Sequence, residues 1–323
     1  MRKVGKIGSW LFSVGVLVAL LVAFGQRQEI YDWWRLRGYE PPARIAALAD
    51  ATTMTDEGRK LFYVHRPELN NAAQFNANCQ GIEQSIILGC YVSRTGIYVF
   101  DVEDERLAGV EEVTAAHEML HAAYDRLSPD EKQRIDTMTQ SAFDALDNER
   151  IKTTVAAYEK RDVSVVPNEL HSILGTEVRE LPAELETYYQ RYFDDRVKVV
   201  SFSEQYEQAF TARKNKVANY DAQLARLREQ ITAAERQLDA LSQAVGAERD
   251  RLNSLLTNDQ TEQYNAAVPH FNAQIRQYNS LLAETRRQID QFNEIVAARN
   301  NVAIEQRELI EALDSHLVPQ AQE

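Results

Sequence analysis

Apolar residues recur at seven-residue intervals along the C-terminal part of the chain. Phe210, Val217, Leu224, Ile231, Leu238, Val245 and Leu252 hold one register, and Tyr220, Leu227, Ala234, Leu241 and Leu255 hold a second. After a polar break at Thr257-Asn258-Asp259 the repeat resumes. Phe271, Tyr278 and Phe292 then share one register, and Val268, Ile275, Leu282, Ile289 and Val296 share the other. A sustained repeat of this period specifies helices that wind left-handedly about each other. With so short a connection it predicts an antiparallel coiled-coil hairpin over residues 201–315, followed by a tail at 316–323. Arms of about 50 residues would reach roughly 75 Å. Pro269 is expected to mark the frayed start of the return arm.

Before residue 200 the pattern is mixed. Gly38, Pro41 and Pro42 mark a linker, and Ala43–Ala51 reads as a short helix. Leu61-Phe62-Tyr63-Val64 is a strand candidate. Ser85–Leu88 and Gly96–Val102 are β-rich runs joined by a turn at Ser93-Arg94-Thr95. Ser128-Pro129-Asp130-Glu131 starts a helix, with Ser as N-cap and acids in the first turn, running to about Leu146. Further helices are expected over Lys152–Lys160, after Pro167, and over 183–196. The fold class is therefore α+β: a mainly helical domain over residues 46–200 with a small β-hairpin or sheet, then the long hairpin.

The N-terminus reads differently. Arg2, Lys3 and Lys6 precede an apolar run from Trp10 to Phe24, and Tyr31, Trp33 and Trp34 follow it like an interfacial aromatic belt. Residues 1–7 then form a basic cytoplasmic end, 8–25 a transmembrane signal-anchor and 26–45 a juxtamembrane linker. The expectation is a single-pass protein of the cell membrane with its C-terminal domains extracytoplasmic, or a secreted one if cleavage follows Ala23-Phe24-Gly25. In such a compartment Cys79 and Cys90 are expected to form a disulfide. The net charge of −13 over 323 residues argues against nucleic acid as a partner.

The candidate chemistry lies in Val113–Tyr124, which includes His117-Glu118-Met119-Leu120-His121. On a helix the two histidines share one face, one turn apart, and can bind one Zn²⁺, with Glu118 placed to take a proton from water. A catalytic zinc needs a third protein ligand. Glu169, His171 and Glu177 are the downstream candidates. Glu169 has Ser172 and Gly175 beside it, small enough for its helix to approach the first closely, whereas His171 points about 200° away from Glu169.

His117-Glu118-x-x-His121 followed by Asn168-Glu169-x-x-Ser172 resembles the gluzincin, thermolysin-like metallopeptidases. That resemblance implies a zincin-like domain with His117, His121 and Glu169 as ligands and Glu118 as general base. Only the short motifs match, and Ile173 stands where the family has an acid, so Glu177 stays open as an alternative ligand. A donor to the tetrahedral oxyanion is also required, and His171, Tyr188, Tyr189 and Tyr192 are the candidates.

The function expected is a membrane-anchored zinc metallopeptidase acting on a protein or peptide, with the coiled coil binding a protein partner or a second copy. Two alternatives accompany it: a structural coiled-coil adaptor with an inactive zinc domain, and a zinc amidase acting on cell-wall peptides.

Overall fold

The computed structural model describes residues 25–79 and 88–315. The chain divides into two compact units. One runs to Gln208 and takes up the chain again from Leu309; the other is Ala209–Glu308.

The first unit opens with helices α1 (Arg27–Leu36), α2 (Ala43–Ala51) and α3 (Asp56–Val64). The apolar run at Leu61–Val64 is thus the last turn of a helix, not the expected strand. Its start explains why: the Thr55 hydroxyl accepts from the Gly58 amide at 3.1 Å, and Asp56 and Glu57 fill the first turn. Residues 27–36, read as a linker, also form a packed helix. Asp32 on α1 is buried and receives both arms of Arg126 at 2.7 and 2.9 Å.

A three-stranded sheet follows: β1 (Glu68–Asn70), then β2 (Gly89–Val92) and β3 (Gly96–Phe100), with α4 (Ala72–Asn78) between β1 and β2. The strand order is β1-β3-β2, β1 running parallel and β2 antiparallel to β3. Among the described residues β2 is therefore an edge. It lies one turn later than the run expected at Ser85–Leu88, of which 85–87 fall outside the described residues. A Cys79–Cys90 disulfide ties the end of α4 to β2.

Helix α5 (Val110–Asp125) carries the two histidines and forms the centre of the unit. Ala115, Ala116, Met119, Leu120 and Ala122 are wholly buried, so α5 is enclosed on nearly every side. Around it stand α6 (Pro129–Asp144), α7 (Glu149–Arg161), α8 (Val166–Glu177) and α9 (Ala183–Tyr189). The Ser128–Glu131 capping box starts α6, and the Asn148 side chain caps α7.

Helix α8 packs closely on α5. A Cβ at Gly175 would stand 2.4 Å from Leu120 Cδ1 and 2.8 Å from Tyr189 Cε1, so only glycine permits this approach. Buried Arg196 holds the far end of α8. Its guanidinium donates to the carbonyls of Val178 at 2.6 Å and Arg179 at 2.8 Å, and pairs with Glu186.

The second unit is a long helical hairpin, the 209–308 part of α10 (Arg196–Thr257) and α11 (Thr261–Leu313). Asp259 adopts a left-handed φ of 56° at the turn. The pairs Arg213–Glu305 at 3.3 Å and Arg299–Asp221 at 2.6 Å join residues nearly equidistant from that turn, which makes the arms antiparallel. Leu227, Ala234, Leu252 and Leu255, all on the seven-residue registers, are buried along the seam. Pro269 does not start the return arm but sits inside α11. A single missing amide hydrogen bond is outweighed by the packing on both sides of it.

The expectation for localisation is corrected as well. Among the described residues no helix is long and apolar enough to cross a membrane, which counts against the single-pass membrane protein read from the sequence. Trp33 and Trp34 are exposed on a ten-residue helix that also carries Arg27, Glu29, Asp32 and Arg35. The run assigned to the anchor, residues 8–25, lies outside the described residues except for Gly25, as does the tail at 316–323.

His65, at the end of α3, generates a pH prediction. It is 4% exposed, and its Nδ1–H donates to the Leu61 carbonyl at 2.8 Å. Burial holds its imidazole down at about 4, against 6.5 ordinarily. Below about 6.5 the unfolded chain binds a proton that the folded one does not, so stability falls as pH drops towards about 4. Urea unfolding at pH 7 and pH 5 should show a loss on the order of 2 kcal/mol from this residue, and His65→Gln should flatten the slope.

Candidate metal centre

His117 and His121 stand one turn apart on α5, their ring centroids 4.7 Å apart and their planes at 80°. Helix α8 brings Glu169 against both. Glu169 Oε2 lies 3.7 Å from His117 Nε2, and Oε1 lies 3.8 Å from His121 Nε2. One ligand atom from each residue falls within 4.8 Å of the other two, and among the described residues this group could hold a metal ion. Ligands on a tetrahedral ion with bonds of about 2.0–2.2 Å sit roughly 3.4 Å apart, a few tenths of an ångström closer than the two imidazole–carboxylate distances and within the 4.8 Å that bounds the group, so the side chains would close in on a bound ion.

The carboxylate itself fits a cation. Glu169 Oε2 is buried and has no hydrogen-bond partner among the described residues. A buried anionic oxygen left in that state is costly, and a cation between it and the imidazoles would satisfy it. Burial raises the Glu169 carboxyl, but the neighbouring His117 and His121 and the Tyr158 phenol together hold it below the usual carboxylate range.

The residues flanking Glu169 orient one imidazole. His121 Nδ1 lies 3.0 Å from Asn168 Oδ1 and 3.2 Å from Ser172 Oγ. The amide oxygen can only accept, so Nδ1 carries the hydrogen, and in the neutral ring Nε2 is then the atom left to ligate a cation. Asn168, Glu169 and Ser172 thus act on the same imidazole pair from one face of α8.

Glu118 is 5% exposed and lies under the start of β2. A Cβ at Gly89 would stand 2.7 Å from Glu118 Oε1 and 2.5 Å from Thr114 Cγ2, so no larger residue could occupy that position without displacing the carboxylate. Above the site is a cleft of about 310 Å³. One wall is β2, through Gly89 and Tyr91. The other is a single face of α7, presenting Arg150, Thr154, Tyr158 and Arg161. His117, Glu118 and Glu169 line it between them.

Other expected residues are placed elsewhere. Glu177 lines the cleft but pairs with Arg150 at 2.8 Å, and the other arm of Arg150 reaches Glu207 at 2.6 Å. The four expected oxyanion donors are core residues, and none of them lines the cleft. His171 is fully buried, its imidazole pushed down to about 3 by burial, and its Nε2 is 2.8 Å from the Tyr188 hydroxyl. The Tyr189 hydroxyl donates to the His171 carbonyl at 2.6 Å, and the Tyr188 and Tyr192 hydroxyls are 3.3 Å apart. Two residues of helix turn His171 to the side opposite Glu169, which is why this group cannot reach the site. The tyrosine the cleft does present is Tyr158, and only its position on the Arg150-Thr154-Tyr158-Arg161 stripe hinted at it.

The site should bind one divalent cation per chain, measured with Zn²⁺ as the probe by competition with a chromophoric chelator. Glu169→Gln is expected to weaken binding on the order of 100-fold or more and Asn168→Ala by about 10–100-fold, while Glu177→Gln changes it by less than about threefold.

No protein-family model, no curated protein and no solved structure matches this chain.

Proposed function

We propose that the protein is a zinc-dependent hydrolase of peptide bonds. The observation that carries this reading is the juxtaposition of a half-buried His-His-Glu donor group, one of whose carboxylate oxygens is buried with no hydrogen-bond partner among the described residues, with a second carboxylate on the wall of the same cleft. His117, His121 and Glu169 would hold the metal, which when bound acidifies water and polarises a carbonyl.

The chain's own residues supply the remaining parts. Glu118, on the turn between the two histidines, accepts the proton of the attacking water and returns it to the leaving amine. Tyr158 extends into the cleft beside Glu169 and donates to the oxygen that becomes negative as the carbonyl carbon turns tetrahedral. Strand β2 offers an extended substrate main-chain hydrogen bonds along its edge. Asn168 keeps His121 in the tautomer that leaves Nε2 unprotonated. The long helical hairpin, read as a coiled coil, serves as a docking arm for a protein partner or a second copy.

The test is hydrolysis of an unfolded protein and of quenched fluorescent peptides by the zinc-loaded full chain. Glu118→Gln should lower kcat/KM by about 10²–10⁴ without loss of zinc. Tyr158→Phe should lower kcat by about 10²–10³ with little change in KM. Equal rates for the wild type and Glu118→Gln would overturn the reading.

A further inference from the structure

The helical hairpin leaves an apolar face uncovered. On α11 the seam buries Thr285 and Val302, at 3% and 6% exposure, and the side-chain oxygens of Gln274 and Gln288, which have no hydrogen-bond partner among the described residues. The register one residue beyond the glutamines is apolar throughout: Ile275, Leu282, Ile289 and Val296. It is half-buried at best, and Ile289 is 38% exposed. Polar Gln288 is thus turned into the seam and apolar Ile289 out of it. On α10 Val217, Leu224, Ile231, Leu238 and Val245 are likewise only half-buried, although Leu227 and Ala234 beside them are covered.

A seam between two helices uses two positions in seven, whereas a face three positions wide belongs to a bundle of more helices. Both uncovered rows stand three residues before the buried register of their own arm. Antiparallel arms turn equivalent rows to the same side of their seam, so the two rows form one continuous apolar face.

We infer that this face packs against the same face of a second copy, giving four helices about a two-fold axis at the middle of the arms. This deepens the docking-arm reading of the hairpin and rests on it. Two observations select a second copy over another partner. Residues 209–308 carry thirteen Lys and Arg against thirteen Asp and Glu, although the whole chain has a net charge of −13. Two hairpins therefore meet without net repulsion, and neither a basic nor an acidic partner is favoured. The charges beside the face are also placed for self-pairing. Exposed Arg228 and Glu235 each stand one turn beyond a residue of the α10 row, on either side of Ile231. The Asp221–Arg299 pair sets the level of the arms, and ten residues further along each of them Ile231 and Ile289 come level near the middle. A two-fold axis at that level brings Arg228 of one copy to the partner's Glu235, and the reverse, as an isologous contact requires.

The test reads mass rather than turnover. Sedimentation equilibrium of the full chain over about a hundredfold range of concentration should show a monomer–dimer equilibrium. Ile289→Lys should weaken it about tenfold or more while helical circular dichroism is unchanged. Arg228→Glu and Glu235→Arg each set like charges across the axis and should each weaken self-association about tenfold. An equimolar mixture of those two variants restores opposite charges and should associate as tightly as the wild type. Recovery in the mixture separates pairing across the axis from damage to the hairpin. A wild type that stays at the mass of one chain, association that survives Ile289→Lys, or a mixture no tighter than its components overturns the inference. Hydrolysis by a wild type that stays at one chain's mass overturns the dimer and leaves the peptidase reading standing. A dimer with these properties that hydrolyses no peptide does the opposite.

Discussion

The close contact between α5 and α8 is what the candidate site depends on. Glu169 reaches the imidazoles because nothing large separates the two helices. The inner residues of α5 include Ala115, Ala116 and Ala122, and from α8 Gly175 meets Leu120 and Ser172 meets His121. The contact is held at two points along α8. Asn168 and Ser172 meet His121 near its start, and Arg196 binds the carbonyls at its end. A helix fixed twice can neither slide nor rotate far, and a carboxylate on it is then positioned by packing rather than by its own rotamer alone.

That packing creates a local electrostatic conflict. Two carboxylates crowd the same imidazole pair: buried Glu118, next to His117 in the chain, and half-buried Glu169, one of whose oxygens is buried with no hydrogen-bond partner among the described residues. A fold selected for stability alone would replace such groups with apolar ones. Retained conflicts of this kind cluster where a ligand resolves them. On the opposite side of α8 the hydroxyls of Tyr188, Tyr189 and Tyr192 are all bonded, although His171 Nδ1 has no partner among the described residues.

The sheet contributes through its edge. Gly89 lets β2 lie directly over Glu118, and the next residue, Cys90, is bonded to the end of α4. A covalent tie one position from the closest approach limits how far this wall can move from the carboxylate beneath it.

Features governed by short-range geometry were legible in the order of amino acids. The placement of His117, Glu118 and His121 on one helix, the Ser128 capping box, the pairing of Cys79 with Cys90 and the long hairpin all follow from spacings within a few turns or a seven-residue period. The small residues beside Glu169 signalled a close helix contact. Other features were not legible. The run Leu61–Val64 is apolar enough for either a strand or a helix, and the Thr55 cap decided it. His171 and the tyrosines at 188, 189 and 192 carry suitable chemistry, but the face of α8 and α9 that meets the core turned them inward. Tyr158 has no motif around it, and Glu177 was distinguishable from Glu169 only once Arg150, from another helix, had engaged it. Local spacing determines which residues share a face, because covalent geometry sets the helical repeat. Which face meets which neighbour was decided only by tertiary packing, because it depends on how the whole core fills its volume.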